Sequence, residues 1–259
     1  MEGKMSASKV KRKEAAAAWL AKLDEIPMYR VAVSGAKITH LNMDSLHIEV
    51  NHRYDQTDVS VYNQDVAVSA RTVSRRAGSQ KKVCVLDFAS YFHPGGGFTN
   101  GAMAQEEAIC AASGLYPILQ RVAPIYETRK ALDDKSGLYK NDIFYCENVP
   151  FMKSQTVITA PYLIDIMVVA APNKSVCKDK TRADITMQER MSKLFPIPHM
   201  FGADILLLGA FGCGVFGNDL GLVAREWKRL TERYNGIYEG VVHPVLDKQQ
   251  YREFLKYVR

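Results

Sequence analysis

Residues 83–107 read VCVLDFASYFHPGGGFTNGAMAQEE and combine three patterns in one stretch. The nearly continuous apolar run at 83–89 is typical of a strand that is buried on both faces of a parallel sheet. Three glycines follow at 95–97, and we expect a helix to begin near Met103. In open α/β sheets, ligands bind beyond the carboxyl ends of the strands, so this order predicts a ligand-binding loop.

Strand and helix patterns alternate along the rest of the chain. We predict further strands at 46–50, 59–62, 143–146, 155–160, 165–171 and 203–209. We predict further helices at 12–24, 63–76, 183–195, 218–234 and 247–257. Gly78 and Pro196 are the expected stop signals of two of these helices. The alternation indicates an α/β protein with three layers, α/β/α, a mixed and largely parallel central sheet, and an N-terminal helical extension.

Length and composition suit one soluble domain. The chain has 259 residues, of which 47% are hydrophobic and 24% charged. We assign residues 14–259 to a single domain and residues 1–13 to a flexible basic tail. No apolar run approaches the roughly 18 residues of a membrane span, and the tail lacks the apolar region of a secretory signal. We therefore expect a monomeric cytoplasmic protein without membrane association, with the nucleus as the alternative location.

Charge and potential metal ligands are less informative. The five cysteines form no CxxC pair, which disfavours a disulfide framework or a zinc site. Five of the six histidines lack metal-ligand spacing, and the sixth, His93, flanks the glycine loop, so we expect no metal and no organic cofactor. A formal charge of +6 would attract polyanions, although we expect most of the excess on solvated surface. A nucleic-acid-binding role would rest on this charge alone.

The glycine loop and the acids behind it have a chemical and a structural interpretation. Glycine N–H groups can converge on an anion at the start of a helix. Glu106 and Glu107 fall in the first helical turn, where acidic side chains are favourable for electrostatic reasons alone. Consecutive helical residues point about 100° apart, so one carboxylate can face the loop. A carboxylate at a sugar-binding loop is the type of group that protonates a glycosidic leaving group.

A second glycine-rich loop, GAFGCGVFGND, occupies residues 209–219 and precedes a helix that Asn218 or Asp219 would cap. Its composition suits a phosphate cradle, but the chain has no GxxxxGK[ST] motif, which disfavours a nucleoside triphosphatase. Phe216 would stack on a base or a ribose, or alternatively pack inward within a tight turn. Cys213 has no adjacent base, which disfavours a nucleophilic role.

Together the two loops resemble the poly(ADP-ribose) glycohydrolases, in particular the microbial type built on a macrodomain. That family's signature is three glycines, a short spacer and Gln-Glu-Glu. Here the glycines at 95–97 are followed, after seven residues, by Gln105, Glu106 and Glu107. The flanks VLDFAS and AICAASGLY, the second loop and the segment Ala-Ala-Pro-Asn at 170–173 also match. The resemblance covers the chain in order from about residue 14 to the end.

The resemblance implies a macrodomain-like catalytic domain that cleaves the ribose glycosidic bond of poly(ADP-ribose) and releases ADP-ribose. Glu107 would protonate the leaving oxygen of an oxocarbenium-like transition state, and Glu106 would hydrogen-bond the ribose near the scissile bond. Gln105 would help to order the loop. The other substrate-binding residues that the resemblance implies are Ser90, Gly95, Gly96, Gly97, Gly212, Cys213, Gly214, Val215, Phe216 and Gly217.

Two departures from the family pattern bear on the substrate. Long animal-type members carry Asp-Phe-Ala-Asn where this chain ends the motif with Ser90. The tyrosine-bearing segment that covers adenine in the long forms has no recognisable counterpart here. Ser90 leaves the preference between polymer and monomer open, whereas the missing tyrosine-bearing segment favours action on chain ends or on a single ADP-ribose. The alternatives are a hydrolase of mono-ADP-ribosylated protein, for example arginine-linked, on the same site, and a reader that binds ADP-ribose without cleaving it.

Overall fold

The computed structural model describes residues 7–152 and 158–258. Its helices are α1 (Ala7–Glu25), α2 (Pro27–Gly35), α3 (Val66–Ala77), α4 (Gln105–Ala112), α5 (Leu115–Gln120), α6 (Ala123–Ala131), α7 (Lys180–Leu194), α8 (Ile197–Met200), α9 (Leu220–Arg233) and α10 (Lys248–Val258). Its strands are β1 (Lys37–Asn42), β2 (Asp58–Tyr62), β3 (Val83–Phe88), β4 (Asp142–Phe151), β5 (Tyr162–Val169), β6 (Ile205–Leu207) and β7 (Gly240–Pro244). Within these described ranges, no helix combines the length and the apolar character that a bilayer span requires.

One mixed sheet joins the strands in the order β1-β4-β5-β3-β6-β7-β2. The central strand β3 pairs in parallel with β5 on one edge and with β6 on the other. β7 and β2 continue the parallel part, whereas β4 is antiparallel to β5 and β1 is antiparallel to β4. Because β3 lies in the middle of the sheet, its run from Val83 to Leu86 is fully buried, as the apolar pattern predicts.

Helices cover both faces of the sheet, which confirms the predicted α/β/α layers. Helices α1 to α6 form one core with Val83 and Val85 of β3. Helices α7 to α10 form a second core with Cys84 and Leu86. Successive side chains of a strand point to opposite faces, so a single strand supplies both cores.

The first helix begins earlier than predicted. α1 starts at Ala7, so residues 7–13, which we predicted as part of a flexible tail, are helical, and residues 1–6 lie outside the described residues. The first buried residue of the helix is Ala16, so its opening turns carry no apolar periodicity that marks a helix. Trp19 anchors α1, because its indole N–H donates to the carbonyl oxygens of Cys110 and Ser113 at 3.1 Å each.

One strand prediction is wrong, and a second can be compared with the structure only in part. Residues 46–50 form no strand, although Leu46, Ile48 and Val50 pack against the second core. The prediction at 155–160 falls partly outside the described residues, and residues 158–160 form no strand. Alternating apolar side chains report one buried face, whereas a strand also needs a hydrogen-bonded neighbour.

The remaining predicted elements are confirmed within a few residues. The predicted strands at 59–62, 143–146, 165–171 and 203–209 correspond to β2, β4, β5 and β6, and the later predicted helices correspond to α3, α7, α9 and α10. Gly78 ends α3 with a φ of 76°, and α7 ends before Pro196. The patterns do not predict β1 or β7, because β1 is a half-exposed edge strand and β7 is short and ends at Pro244.

Candidate active site

The site lies where β3 and β6 separate. β3 pairs with β6 only from Val83 to Val85, so the next backbone groups on that edge need other partners. The side chain of Gln105 supplies them, since its Nε2 donates to the Leu86 carbonyl at 2.8 Å and its Oε1 accepts from the Phe88 N–H at 2.9 Å. This amide replaces a neighbouring strand and fixes the start of α4 against the end of β3.

The two glutamates after Gln105 tie α4 to the first glycine loop. Glu106 Oε2 accepts from the Ser90 N–H at 2.7 Å, and Glu107 Oε1 accepts from the Gly97 N–H at 2.8 Å. The second oxygen of each, Glu106 Oε1 and Glu107 Oε2, is buried with no hydrogen-bond partner among the described residues. Buried acceptors are rarely left unbonded, so each carboxyl group has one oxygen to offer a ligand hydroxyl.

Gly96 lets the loop pass close to both carboxyl groups. Its φ is 60°, and a Cβ at this position would lie 2.4 Å from Glu107 Oε1 and 2.8 Å from Glu106 Oε2. Only glycine combines this left-handed backbone with so close an approach. The glycine run therefore serves the contact between loop and carboxyl groups as well as any contact with ligand.

A third carboxyl group, that of Asp87 on β3, lies behind the glutamates. It is fully buried, and neither oxygen has a partner among the residues that the structure describes. Burial first, and the charge of Glu107 second, raise the pKa of Asp87 well above its ordinary value. Burial, followed by the charges of Asp87 and Glu107, likewise raises the pKa of Glu106, although the Ser90 N–H opposes this shift. Clusters with such perturbed pKa values are frequent at functional sites.

The second glycine-rich loop joins β6 to α9, as predicted. Asn218 closes it, because its Nδ2 donates to the Gly212 carbonyl at 3.0 Å and to the Pro172 carbonyl at 2.8 Å. The N-cap of α9 is Asp219, whose carboxylate accepts from the Leu222 N–H at 2.6 Å. The hydrogen bond to Pro172 therefore anchors the loop to the Ala-Ala-Pro-Asn segment at 170–173. This segment is one of those in which the sequence resembles the family.

The tip of this loop has unpaired donors. The backbone N–H groups of Gly214, Val215 and Phe216 have no acceptor among the described residues, and Val215 is 83% exposed. Successive unpaired N–H groups ahead of a helix N-terminus favour a bound anion. The geometry agrees with the phosphate-cradle interpretation of the loop.

Phe216 belongs to an aromatic cluster that links the two loops. Its ring centroid is 6.3 Å from that of Tyr139, which stacks on Tyr91 of the first loop at 4.5 Å. Phe92 contacts both tyrosines edge-on. Phe216 is half-buried, so it packs partly inward and still presents surface to the site. Sequence reasoning missed Tyr139, because it belongs to neither glycine loop and no motif marks it.

Helix α1 closes the site on the side of Glu107. Arg12 Nε donates to the Gly101 carbonyl at 2.8 Å, and a cavity of about 150 Å³ lies between α1 and α4. Glu107, Arg12 and Met103 are among the residues that line this cavity. A helix outside the glycine loops therefore contributes a wall next to the carboxyl group.

Two candidate residues, Ser90 and Cys213, are constrained by their surroundings, and the search for a metal site gives a separate result. Ser90 Oγ accepts from the His93 N–H at 3.1 Å, so the hydroxyl stabilises the turn at the start of the first loop. Burial raises the pKa of Cys213 to about 12, which agrees with the expectation that it is not a nucleophile. In the described part of the chain, no three His, Cys, Asp or Glu side chains are grouped to hold a metal ion.

Comparison with known proteins identifies related chains. A family model for the microbial-type PARG catalytic domain matches residues 21–154. A solved poly(ADP-ribose) glycohydrolase from Thermomonospora curvata is 26% identical with a TM-score of 0.81, covering 96% of this chain and 99% of that chain. The complex of the Thermomonospora curvata protein with the inhibitor ADP-HPD is 27% identical, with the same TM-score and coverage. Poly(ADP-ribose) glycohydrolase from Deinococcus radiodurans in complex with ADP-ribose is 29% identical with a TM-score of 0.76, covering 91% of this chain and 100% of that chain. No curated protein sequence matches significantly.

Proposed function

The chain belongs to the microbial-type poly(ADP-ribose) glycohydrolase family, and we propose that it hydrolyses the ribose glycosidic bond of poly(ADP-ribose) to release ADP-ribose. The observation that carries this proposal is the placement of Glu107. One of its oxygens is fixed by the glycine loop, and the other is buried without a partner among the described residues. A carboxyl group held in this way can deliver a proton to one defined position.

In this mechanism Glu107 is the general acid. Its proton passes to the leaving oxygen as the bond between that oxygen and the ribose C1 breaks, which leaves an oxocarbenium-like ribose. A water molecule then adds through its oxygen to C1, and the proton that it loses returns to Glu107. The products are free ADP-ribose and a shortened chain or a freed acceptor, and the enzyme is regenerated.

Glu106 and Asp87 support the acid without sharing its role. Glu106 Oε1 has no partner among the described residues and suits a ribose hydroxyl near the scissile bond. The raised pKa values of Glu106 and Asp87 favour their neutral forms, so the site need not hold three negative charges at once.

The second loop supplies the binding of the diphosphate. The N–H groups of Gly214, Val215 and Phe216 have no acceptor among the described residues and lie just ahead of α9, whose N-terminus adds a positive dipole end. Such a cradle recognises phosphate oxygens through backbone groups and needs no P-loop lysine. Phe216 would then hold the neighbouring ribose.

We infer cleavage from chain ends. Support comes from α1, which lines the cavity beside Glu107 and is joined to the first glycine loop by the hydrogen bond from Arg12 to the Gly101 carbonyl. A time course on long polymer tests this inference. A chain-end enzyme releases only ADP-ribose from the first minutes, whereas early appearance of free oligomers would contradict it.

Replacing Glu107 tests the proposed function. With automodified poly(ADP-ribose) substrate, we expect Glu107→Gln to lower the rate of ADP-ribose release by about a thousandfold, since general acids contribute factors of about 10²–10⁴. Glutamine still accepts from the Gly97 N–H, so ADP-ribose binding should persist. Glu127→Gln, on the exposed surface of α6, is the matched control and should match the wild type.

Two other outcomes would redirect the proposal. Tight ADP-ribose binding without release by the wild type would make the protein a reader. Faster turnover of ADP-ribosyl-arginine protein than of polymer would make it a mono-ADP-ribosyl hydrolase. The monomeric state and the cytoplasmic location stay predictions, which size-exclusion chromatography and cell fractionation test.

A further inference from the structure

We propose that Tyr139 forms a third wall of the ligand site, between the two glycine-rich loops, and that Arg190 and Arg129 are positioning residues that hold it there. The proposal takes the ligand, ADP-ribose, from the proposed function. It adds a residue from the segment between α6 and β4, which lies outside the motifs quoted in the sequence analysis.

The backbone of Tyr139 is in an unfavourable conformation. Its φ is 61°, in the left-handed region that bulky side chains rarely adopt. Strain of this kind persists only where the surrounding structure enforces it, and it is concentrated at functional sites. The first question is therefore what holds Tyr139.

Arg190 of α7 holds the backbone at this point. Its Nη2 donates to the carbonyl oxygens of Leu138 at 2.8 Å and Tyr139 at 3.0 Å, and its Nη1 donates to that of Ala170 at 2.8 Å. Its Nε donates to Asn141 Oδ1 at 3.0 Å. Arg190 is fully buried and forms no salt bridge within the described residues, and burial lowers its pKa to about 10. Burying a charged guanidinium costs free energy unless it is hydrogen-bonded. Arg190 spends its hydrogen bonds on these backbone carbonyl oxygens, which indicates that it fixes the backbone around Tyr139.

The ring of Tyr139 is held separately from its backbone. It lies nearly parallel to the ring of Tyr91, with centroids 4.5 Å apart and planes inclined by 13°. The guanidinium carbon of Arg129 lies 4.8 Å from the centroid of the Tyr91 ring. The order Arg129, Tyr91, Tyr139 thus forms a stacked column that ends at the site.

Arg129 itself is immobilised by its partners. Its Nε and Nη2 donate to Asp142 Oδ2 at 3.1 and 2.6 Å. Its guanidinium carbon also lies 4.9 Å from the centroid of Tyr126 and 4.6 Å from that of Phe144. Cation–π contacts and a charged hydrogen-bonded pair reinforce each other when they are desolvated. The base of the column is therefore rigid.

The column reaches the site between the two glycine-rich loops. Tyr91 follows Ser90, whose N–H binds Glu106, and Tyr139 neighbours Phe216 at the end of the unpaired N–H groups. Tyr139 is half-buried, so the residue keeps some exposed surface. A rigid aromatic surface beside carboxyl groups and an anion cradle suits the ring faces of a nucleotide sugar.

Tyr139→Asn is the decisive variant, because asparagine tolerates the left-handed backbone and removes the ring. Calorimetric titration with ADP-ribose should show a Kd raised about tenfold, in the range of a lost stacking contact. The variant should still fold, because relief of the backbone strain offsets part of the lost ring packing, and a cooperative melting curve checks this. Tyr139→Phe should bind within about twofold of the wild type.

Tyr257→Ala is the matched control. Tyr257 is a half-buried tyrosine on α10 that also lies under an arginine, with Arg225 at 4.9 Å, but it is on the opposite helical layer. Its variant should keep the wild-type Kd. A folded Tyr139→Asn protein with the wild-type Kd would overturn the proposal.

Arg129→Met tests the positioning role. We expect KM for polymer and Kd for ADP-ribose to rise about fivefold or more, while kcat per folded molecule changes less than twofold. A merely structural role would lower the melting temperature and the active fraction and leave Kd unchanged, which would count against the assignment. Failure of the proposed function is a separate result: a wild type that binds ADP-ribose without hydrolysing it would still allow every Kd measurement.

Discussion

At the scale of single residues, the site depends on positions where one added atom has no room. Gly96 is the tightest of these, because a methyl group would meet the carboxyl oxygens of both Glu106 and Glu107. These oxygens are the acceptors that hold the loop, so moving them would also move Ser90 and Gly97.

We predict that Gly96→Ala lowers the rate of ADP-ribose release at least tenfold and destabilises the fold by about 1–2 kcal/mol, because it adds both a clash and a strained φ. Steady-state kinetics and urea unfolding measure the two effects. Gly35→Ala is the control, since a Cβ there meets nothing within 4 Å. A Gly96→Ala protein with normal kinetics would show that the loop and the carboxyl groups move independently.

Asp87 gives a residue-scale prediction about pH. Its pKa is raised in the folded protein, so the folded state keeps a proton that the unfolded state loses as pH rises above the ordinary value. This group therefore costs stability increasingly with rising pH, and an asparagine does not titrate. We expect the stability of Asp87→Asn relative to the wild type to increase by at least about 1 kcal/mol from pH 5 to pH 8. Melting curves at both values measure it, and a constant difference would contradict the ionisation of Asp87.

At the scale of elements, the important junction is the one between β3 and α4. Gln105 completes the hydrogen bonding of the β3 edge where β6 has already diverged. The gap between the two strands provides space for the loops, and the amide provides the backbone partners that a strand would otherwise supply. These hydrogen bonds fix the position of the first turn of α4 relative to β3. Glu106 and Glu107 are thereby placed next to the glycines of the first loop.

We predict that Gln105→Ala destabilises the protein by about 2–3 kcal/mol, because it leaves two backbone groups of β3 without partners. The rate of ADP-ribose release should fall with it, since α4 loses its register. Gln249→Ala, on the exposed surface of α10, should change neither quantity. Equal unfolding free energies for Gln105→Ala and the wild type would mean that water satisfies these groups equally well.

At the scale of the whole molecule, the sheet separates two cores with different ionisable groups. The core on the α1 to α6 side abuts the site carboxyl groups, whereas His243 of β7 packs against Phe254 of α10 on the other side. Both ring nitrogens of His243 lack a partner among the described residues, and burial lowers its pKa to about 3. The folded state therefore excludes a proton that the unfolded state binds below about pH 6.5.

It follows that stability is lost as pH falls from about 6.5 towards 3, and His243→Leu should remove this loss. We expect the variant to gain about 3 kcal/mol relative to the wild type between pH 7 and pH 4. Urea unfolding across this range measures the gain. A variant whose stability falls with acid as steeply as that of the wild type would exclude His243 as the source of this loss.

Much of the site was predictable from local patterns. The run VCVL, the glycines at 95–97, the acids at 106 and 107 and the loop at 209–219 are continuous in sequence, and each pattern reflects a local requirement. An apolar run predicts a strand buried on both faces, and glycines before a helix predict a loop that approaches a ligand. The identity of the family and its activity follow from these same segments.

The tertiary structure decided what depends on contacts between distant segments. The pairing of β1 with β4, the lack of a strand partner at 46–50 and the closure of the site by α1 are long-range outcomes that no local pattern encodes. The same holds for the role of Tyr139, whose position depends on Arg190, 51 residues away, and on Tyr91, stacked beneath it. Side-chain periodicity reports which face is buried, but hydrogen-bond partners and aromatic contacts are chosen only when the chain packs.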